Sequence, residues 1–416
     1  MERLFYIVIL SNIYLYTMLT ISTRGEQMPA SPIRKLVPFA EAARKKGIKV
    51  YHLNIGQPDI ATPPAIMDAV KHVEMPVLEY THSAGNESYR KKLVNYYQQI
   101  GVQVSYEQIM ITTGGSEAII FAFLSCLNPN DEVIIPEPMY ANYIGFACMA
   151  GVKVVPIRSV IENGFALPDV SEFEKIIGPR TKGILICNPN NPTGYVYSEE
   201  EVLAIGDICK KHHLFLFSDE AYREFVYSDS KVCSALSING LEENVILLDT
   251  ISKRYSACGA RIGALVTRNN KVYSTALKFA QARLSSPSLE QVLGEAAIDL
   301  PENFFDVTKK EYMERRDLLI SRLNNMPGVV CPNPGGAFYA IAKLPIDNCD
   351  TFCQWLLEDF SYNNQTLMLA PATGFYTQSG LGTDEVRLAY VINKEAINNA
   401  MDCLEEALKI YPGRTL

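Results

Sequence analysis

Residues 183–267 contain four short, almost purely apolar runs: GILICN (183–188), LFLFSD (214–219), VILLDT (245–250) and IGALVT (262–267). They show little polar alternation, which is typical of strands that helices cover on both faces. Between the first two runs, Ser198 and Glu201 have the spacing of a helix N-terminal capping box, and apolar residues follow at helical intervals up to His212 and His213. This alternation predicts an α/β domain with a mostly parallel sheet.

Three further runs precede this stretch: IMITT (109–113), EVIIP (132–136) and VKVVPI (152–157). Together the runs predict a seven-stranded sheet in a large domain over residues 64–298. A long charged helix pattern at 302–325 then introduces a smaller α/β domain over residues 299–416. The proline-rich residues 21–63 are expected to pack with this small domain, and residues 1–20 form an N-terminal extension.

Composition excludes several classes of protein. The chain has 416 residues, with 48% hydrophobic and 20% charged residues, as expected of a packed globular protein. Its net charge of −8 argues against nucleic acid as a partner. The ten cysteines are mostly isolated and indicate a reducing, cytoplasmic location. Only Cys349 and Cys353 lie close together, so no metal site is predicted.

The N-terminus leaves two interpretations open. Residues 4–23 carry no charge and are long enough for a signal segment or a marginal membrane span. Glu2 offsets the charge of Arg3, the run is broken by Ser11 and Asn12, and Met18 offers an internal start. We therefore expect an extension and no membrane association, with a membrane anchor as the alternative.

Polar residues follow the predicted strands, where ligands of open α/β sheets bind. The sequence GGSEAI (114–119) offers two glycines and a helix N-terminus, which suit a phosphate group. The spacings of dinucleotide and P-loop motifs are missing. Asp219 ends a buried run and requires a cationic partner. Lys253 follows another run, where it forms either a structural ion pair or a nucleophile for a carbonyl group.

One ligand satisfies these demands together. Pyridoxal 5′-phosphate has an aldehyde for Lys253, a ring nitrogen for Asp219, and a phosphate for the glycine loop, Thr250 and Arg261. Its planar ring needs an aromatic stacking partner, and Tyr140 in EPMYANY is the candidate.

From about residue 21 to residue 410, the chain resembles the class I and II aminotransferases, pyridoxal-phosphate enzymes of fold type I. The resemblance implies that Lys253 binds the cofactor covalently and then carries the substrate's proton. Asp219 would pair with the ring nitrogen, while Tyr222 and Asn191 (in NPNNPTG) would bind the phenolic oxygen. Tyr140 would stack on the ring. The implied phosphate ligands are Gly115, Ser116, Thr250 and Arg261.

The same resemblance implies how substrate binds and how subunits assemble. Arg387 in EVRLAYV would clamp the substrate α-carboxylate, with Gly56 of NIGQPD beside it. Tyr80 in YTHSAGNESYR would reach the phosphate of a neighbouring subunit, so a homodimer is expected. Arg283 is the only candidate in residues 277–291 for the second arginine of dicarboxylate-specific members, and it is a weak one.

The implied reaction is transamination between an L-amino acid and a 2-oxo acid. A carbon-sulfur lyase or a related pyridoxal-phosphate enzyme would keep the same cofactor residues and is the alternative. A non-enzymatic protein on this fold is disfavoured by the complete residue set. The sequence leaves the amino donor, the acceptor and the physiological direction open.

Overall fold

The structure, a computed structural model, describes residues 19–227, 232–301 and 303–416. Residues 1–18, which make up nearly all of the predicted N-terminal extension, lie outside the described residues. In the part of the chain that is described, no helix has both the length and the apolar character needed to cross a bilayer.

A seven-stranded sheet forms the centre of the fold, in the order β2-β8-β7-β6-β5-β3-β4. Its strands are β2 (Ile109–Thr112), β3 (Glu132–Glu137), β4 (Lys153–Arg158), β5 (Thr181–Cys187), β6 (Phe215–Asp219), β7 (Val245–Thr250) and β8 (Gly263–Val266). Strand β8 is antiparallel to β2 and β7, and the other pairings are parallel. The predicted seven-stranded, mostly parallel sheet is confirmed, and each strand begins and ends within two residues of its apolar run.

Helices cover both faces of this sheet. They are α3 (Pro64–Lys71), α4 (Glu87–Gln99), α5 (Gly114–Cys126), α6 (Asn142–Ala150), α7 (Val170–Ile176), α8 (Glu199–Lys211), α9 (Asn270–Ala282) and α10 (Ser288–Ile298). Ile184 and Leu185 of β5 point into two different apolar clusters, one on each face. The predicted capping box of Ser198 and Glu201 starts α8, and His212 caps its end.

A C-terminal unit follows the sheet. It contains a three-stranded sheet of β9 (Tyr339–Lys343), β11 (Ala370–Pro371) and β12 (Glu385–Ala389), with α11 (Phe304–Asn324), α12 (Cys349–Glu358) and α13 (Lys394–Ile410). The helix predicted over 302–325 is α11, and Glu302 lies outside the described residues. Trp355 of α12 packs against three aromatic rings, those of Phe352, Phe360 and Tyr411.

The beginning of the described chain reaches both parts of the molecule. It contains α1 (Thr23–Gln27), α2 (Val37–Lys45) and β1 (Lys49–His52), and β1 pairs in parallel with β10 (Gln365–Met368). Residues 28–34, called the strap below, lie between α1 and α2. Short 3-10 helices occur at Arg34–Leu36, Tyr106–Gln108, Ile161–Asn163, Ala235–Ser237, Cys258–Ala260 and Ala372–Phe375.

Candidate active site

A cavity of about 970 Å³ opens where the ends of β5, β6 and β7 face the C-terminal unit and the strap. Eleven of the twelve residues predicted to form the site line this cavity: Gly56, Gly115, Ser116, Tyr140, Asn191, Asp219, Tyr222, Thr250, Lys253, Arg261 and Arg387. Only Tyr80 lies elsewhere. The cavity therefore brings together residues that are up to 331 positions apart in sequence (387 − 56).

Lys253 projects into the cavity from the turn that follows β7. Its Nζ donates a hydrogen bond to the carbonyl oxygen of Gly56 at 2.8 Å. The neighbouring Arg254 points the other way and donates to both carboxylate oxygens of Asp249, at 2.8 and 3.0 Å. Burial would raise the pKa of Asp249, but Arg223 and Arg254 hold that pKa well below its usual range. This buried ion pair fixes the turn on which Lys253 stands.

Asp219 lies at the end of β6 with its carboxylate buried. Tyr143 donates a hydrogen bond to Oδ2 at 2.6 Å, and the backbone N–H of Ala221 donates to Oδ1 at 3.1 Å. Burial raises the pKa of Asp219. Among the described residues, no lysine or arginine forms an ion pair with it, so a cationic ring nitrogen in the cavity would supply the missing partner.

Tyr222 is brought beside Asp219 by a turn over residues 221–224. The spacing of Asp219 and Tyr222 would put both side chains on one side of a helix, but the described residues 221–224 form a turn. The Tyr222 hydroxyl lies 2.9 Å from the hydroxyl of Tyr339. Tyr140 also lines the cavity, at an edge-to-face angle to Tyr143. Burial raises the pKa of Tyr140 to about 12.

The first turn of α5 forms an anion cradle with Arg261. A Cβ on Gly114 would lie 2.5 Å from Arg261 Nη2, so only glycine lets the guanidinium group approach the start of the helix this closely. The Thr250 hydroxyl lies 2.8 Å from the hydroxyl of Ser252, and both residues line the cavity. Helix N–H groups, hydroxyls and an arginine together suit a phosphate group.

Taken together, the cavity fits pyridoxal phosphate. It has an anion cradle at one end, a buried carboxylate without a cationic partner at another point, and a lysine amine between the strand ends. In the described parts of the chain, no cluster of His, Cys, Asp and Glu could hold a metal ion.

Arg387 of β12 occupies the side of the cavity away from the sheet and is 2% exposed. It donates to Asn191 Oδ1 at 3.1 Å and to the backbone oxygen of Asn54 at 2.6 Å. Its guanidinium group lies over the rings of Tyr339 and Phe375, at 4.6 and 4.8 Å. Its Nε has no hydrogen-bond partner among the described residues, and burial lowers its pKa. A buried guanidinium group with an unpartnered nitrogen is well suited to bind a carboxylate.

The cavity also contains residues that the sequence argument did not assign to the site. Tyr143, Ser252 and Tyr339 line it, as does the strap. The strap fits because two glycines face it: a Cβ on Gly374 would overlap Pro32, and a Cβ on Gly145 would lie 3.1 Å from Met28 Cε. Tyr339 ends the sequence PGGAFY (334–339) within the predicted small domain. Of these residues, only Ser252 could be assigned to the site from the sequence, because it directly precedes Lys253.

Tyr80 and Arg283 are not brought to the cavity within one chain. Tyr80 is 78% exposed, beside a surface cleft that also includes residues 285–288. Arg283 donates to the backbone oxygen of Ile111 at 3.2 Å and lies 3.4 Å from Glu117. Its Nε and Nη1 have no hydrogen-bond partner among the described residues, but Arg283 does not line the cavity, so its position within one chain gives no support to a role as substrate ligand.

Comparisons with known proteins agree on one family. The family model described as aminotransferase class I and II matches residues 48–404. An aspartate aminotransferase of Pyrococcus horikoshii is 34% identical over 91% of this chain and 95% of its own length. Aromatic-amino-acid aminotransferase 2 of Thermococcus litoralis is 30% identical over 94% of this chain and 99% of its own.

Solved structures give the same result. A mutant aspartate aminotransferase of Thermus thermophilus superimposes with a TM-score of 0.86 at 27% identity, covering 94% of this chain and 100% of that one. An alanine aminotransferase of Pyrococcus furiosus gives 0.86 at 29% identity with the same coverage. The names of these relatives include aspartate, aromatic amino acids and alanine.

Proposed function

The chain belongs to the class I and II aminotransferases and is a pyridoxal-phosphate-dependent transaminase acting between amino acids and 2-oxo acids, and on that premise we propose how its residues do so. The observation that carries the proposal is the convergence of Lys253, Asp219 and Arg387 on one cavity. Relatives named as aminotransferases favour transamination over the carbon-sulfur lyase alternative.

When bound, pyridoxal phosphate supplies an electron-withdrawing ring that makes the α-proton of an amino acid acidic. Lys253 would hold the cofactor through its amine and, as a free amine, would take the proton from the substrate α-carbon. Asp219 would keep the ring nitrogen charged. Tyr222 and Asn191 would hydrogen-bond the ring oxygen, and Tyr140 would stack on the ring. Gly115, Ser116, Thr250 and Arg261 would hold the phosphate.

Arg387 binds the substrate α-carboxylate and thereby orients the α-carbon toward Lys253. Support comes from its unpartnered Nε, its burial and its neutral aromatic surroundings. Gly56 lies beside it, and its carbonyl oxygen already accepts a hydrogen bond from Lys253. Because charge recognition is strong in a desolvated site, Arg387 is the main source of affinity for both amino acid and 2-oxo acid.

We further propose a homodimer in which Tyr80 binds the phosphate in the partner's site. The exposure of Tyr80, next to the exposed apolar side chains of Val77, Leu78 and Leu284, supports a covered surface here. Co-expression of Lys253→Ala and Tyr80→Ala chains tests it. A mixed dimer would contain one site with both residues intact, so activity should exceed that of either variant. Absence of recovery in purified mixed dimers would contradict the exchange of Tyr80.

The proposed compartment is the cytoplasm, because all ten cysteines are free and six of them are buried. The proposed domains are residues 21–63, which associate with residues 299–416, and a large domain over 64–298. The pairing of β1 with β10 supports this grouping.

A half-reaction experiment tests the activity directly. The protein loaded with pyridoxal phosphate is mixed with single amino acids in the absence of any oxo acid, and the visible absorbance of the cofactor is followed. A true donor should abolish this absorbance and yield one equivalent of its 2-oxo acid. Continuous release of ammonia and pyruvate would instead identify a lyase. Loss of the visible band in Lys253→Ala serves as the control for covalent attachment.

A further inference from the structure

Two buried tyrosine hydroxyls form a pair in the cavity. The oxygens of Tyr222 and Tyr339 are 2.9 Å apart, and the residues are 4% and 2% exposed. Among the described residues, neither hydroxyl has another hydrogen-bond partner. Each hydroxyl carries one proton, and only one of the two protons can lie between the oxygens, so one hydroxyl donates and the other accepts. The remaining proton is free to point at a ligand.

The rest of the site holds Tyr339 in this position. Its ring lies under the guanidinium group of Arg387 at 4.6 Å and packs against Phe338 and Tyr222. Its hydroxyl occupies the space that a side chain at residue 56 would need, because a Cβ on Gly56 would overlap it. Tyr339 is thus fixed between Arg387 and Tyr222 by packing on both sides.

We propose that Tyr339 is a positioning residue that sets the direction of the Tyr222 proton. Tyr339 donates to Tyr222, so the Tyr222 proton is directed at the ring oxygen of the cofactor. The inference rests on the proposed function, in which Tyr222 binds that oxygen. Successive hydrogen bonds in a desolvated site strengthen one another, so the Tyr339 hydroxyl makes Tyr222 a better donor.

The consequence is measurable in the cofactor's absorbance. A hydrogen bond donated to the ring oxygen withdraws negative charge from that oxygen. The oxygen then attracts the nearby proton on the Lys253 nitrogen less strongly, and this proton is the one whose release changes the visible absorbance. Without the Tyr339 hydroxyl, Tyr222 donates less well and the proton is held more tightly. We therefore expect Tyr339→Phe to raise the pH midpoint of the visible absorbance change by about 0.5–1 unit, the equivalent of one hydrogen bond.

The experiment is a pH titration of the cofactor-loaded enzyme in four variants. Tyr222→Phe should raise the midpoint at least as far as Tyr339→Phe, and the double variant should match Tyr222→Phe, because Tyr339 acts through Tyr222. Tyr390→Phe is the matched control, since its buried hydroxyl donates to the backbone oxygen of Ala337 at 3.3 Å and does not line the cavity. Its midpoint should stay at the wild-type value.

The results separate the two levels of inference. An unchanged midpoint in Tyr339→Phe, beside a raised one in Tyr222→Phe, would overturn the role of Tyr339 and leave the proposed function intact. The same follows if the shift of Tyr339→Phe persists in full on the Tyr222→Phe background. An unchanged midpoint in Tyr222→Phe would refute its proposed contact with the ring oxygen, and the role of Tyr339 with it.

Steady-state kinetics of Tyr339→Phe give a second readout. Its kcat should fall while its KM stays within about twofold, because the lost hydrogen bond affects proton transfer and not the binding of substrate by Arg387.

Discussion

The half of the cavity that faces the seven-stranded sheet is lined by strand ends, whereas the half that faces the C-terminal unit is lined by widely separated segments. Asp219 and Thr250 end β6 and β7, and their side-chain oxygens are hydrogen-bonded within the chain. On the other side, Arg387 lines the cavity, and its buried Nε has no hydrogen-bond partner among the described residues.

The two halves therefore differ in whether their polar groups already have hydrogen-bond partners within the chain. On the sheet side, strand pairing already fixes the groups that would hold the cofactor. On the other side, the buried Nε of Arg387 lacks a hydrogen-bond partner among the described residues, which costs free energy unless a ligand supplies one. We therefore expect substitutions on the sheet side to affect cofactor binding and chemistry, and substitutions on the other side to affect substrate affinity.

The largest expected effect tests the sheet side. Lys253→Ala removes the group that carries the proton, and kcat should fall by about 10⁴-fold or more. Turnover of the purified, cofactor-supplemented variant is the measurement. Lys409→Ala, on the exposed face of α13 beside Glu406, is the control and should keep full activity. Residual activity above one percent would contradict the role given to Lys253.

Asp219→Asn comes next. It removes the anionic partner of a buried cationic ring, a loss of about 3–5 kcal/mol, so the cofactor Kd should rise by about 100- to 4,000-fold. Fluorescence or absorbance titration with pyridoxal phosphate measures this constant. Asp347→Asn is a matched control, because Asp347 also accepts a tyrosine hydrogen bond, from Tyr411 at 2.9 Å, but lies in the C-terminal unit. Equal Kd values for pyridoxal phosphate in wild type and Asp219→Asn would contradict the pairing of Asp219 with the ring nitrogen.

The raised pKa of Asp219 gives this comparison a pH dependence. With rising pH the unfolded chain releases this proton before the folded chain without cofactor does, so stability without cofactor falls between the ordinary and the raised pKa. A cationic ring beside Asp219 removes this penalty. The gain in Tm on adding cofactor should therefore increase as pH rises through that range, and Asp219→Asn should flatten the increase. A gain independent of pH in the wild type would argue against the pairing.

A smaller effect tests the other half of the cavity. Arg387→Lys keeps a charge but loses the planar fork, and KM for amino acids should rise by about 30-fold, the equivalent of about 2 kcal/mol. Cofactor affinity should be unchanged. Arg322→Lys is the control, because Arg322 pairs with Asp402 at 2.6 Å between α11 and α13. A loss of cofactor with KM unaltered would reverse the assignment of the two halves.

The smallest expected effect concerns the strap. Gly374→Ala would push a methyl group into Pro32 and displace residues 28–34 from the cavity wall. We expect KM to rise by about three- to tenfold, in keeping with a cost of about 1 kcal/mol. Gly259→Ala serves as the control, because a Cβ there meets nothing within 4 Å. Identical KM values in the two variants would show that the strap does not contribute to substrate binding.

The sheet side was also the more predictable half. The run VILLDT has the bounds of β7 to the residue, because a strand buried on both faces leaves an uninterrupted apolar signal. Asp219 ends one such run and Lys253 lies three residues after another, so both could be found from the runs. Tyr339 and the strap reach the cavity only through tertiary packing, and no apolar run points to them.

The sequence contains a single tryptophan, and its place has a practical consequence. Trp355 lies among Phe352, Phe360 and Tyr411 in the C-terminal unit, and it does not line the cavity. Its emission reports on that unit alone, whereas the colour of the bound cofactor reports on the sheet. Denaturant unfolding curves recorded with both signals would therefore show whether the C-terminal unit and the part with the seven-stranded sheet unfold together or one after the other.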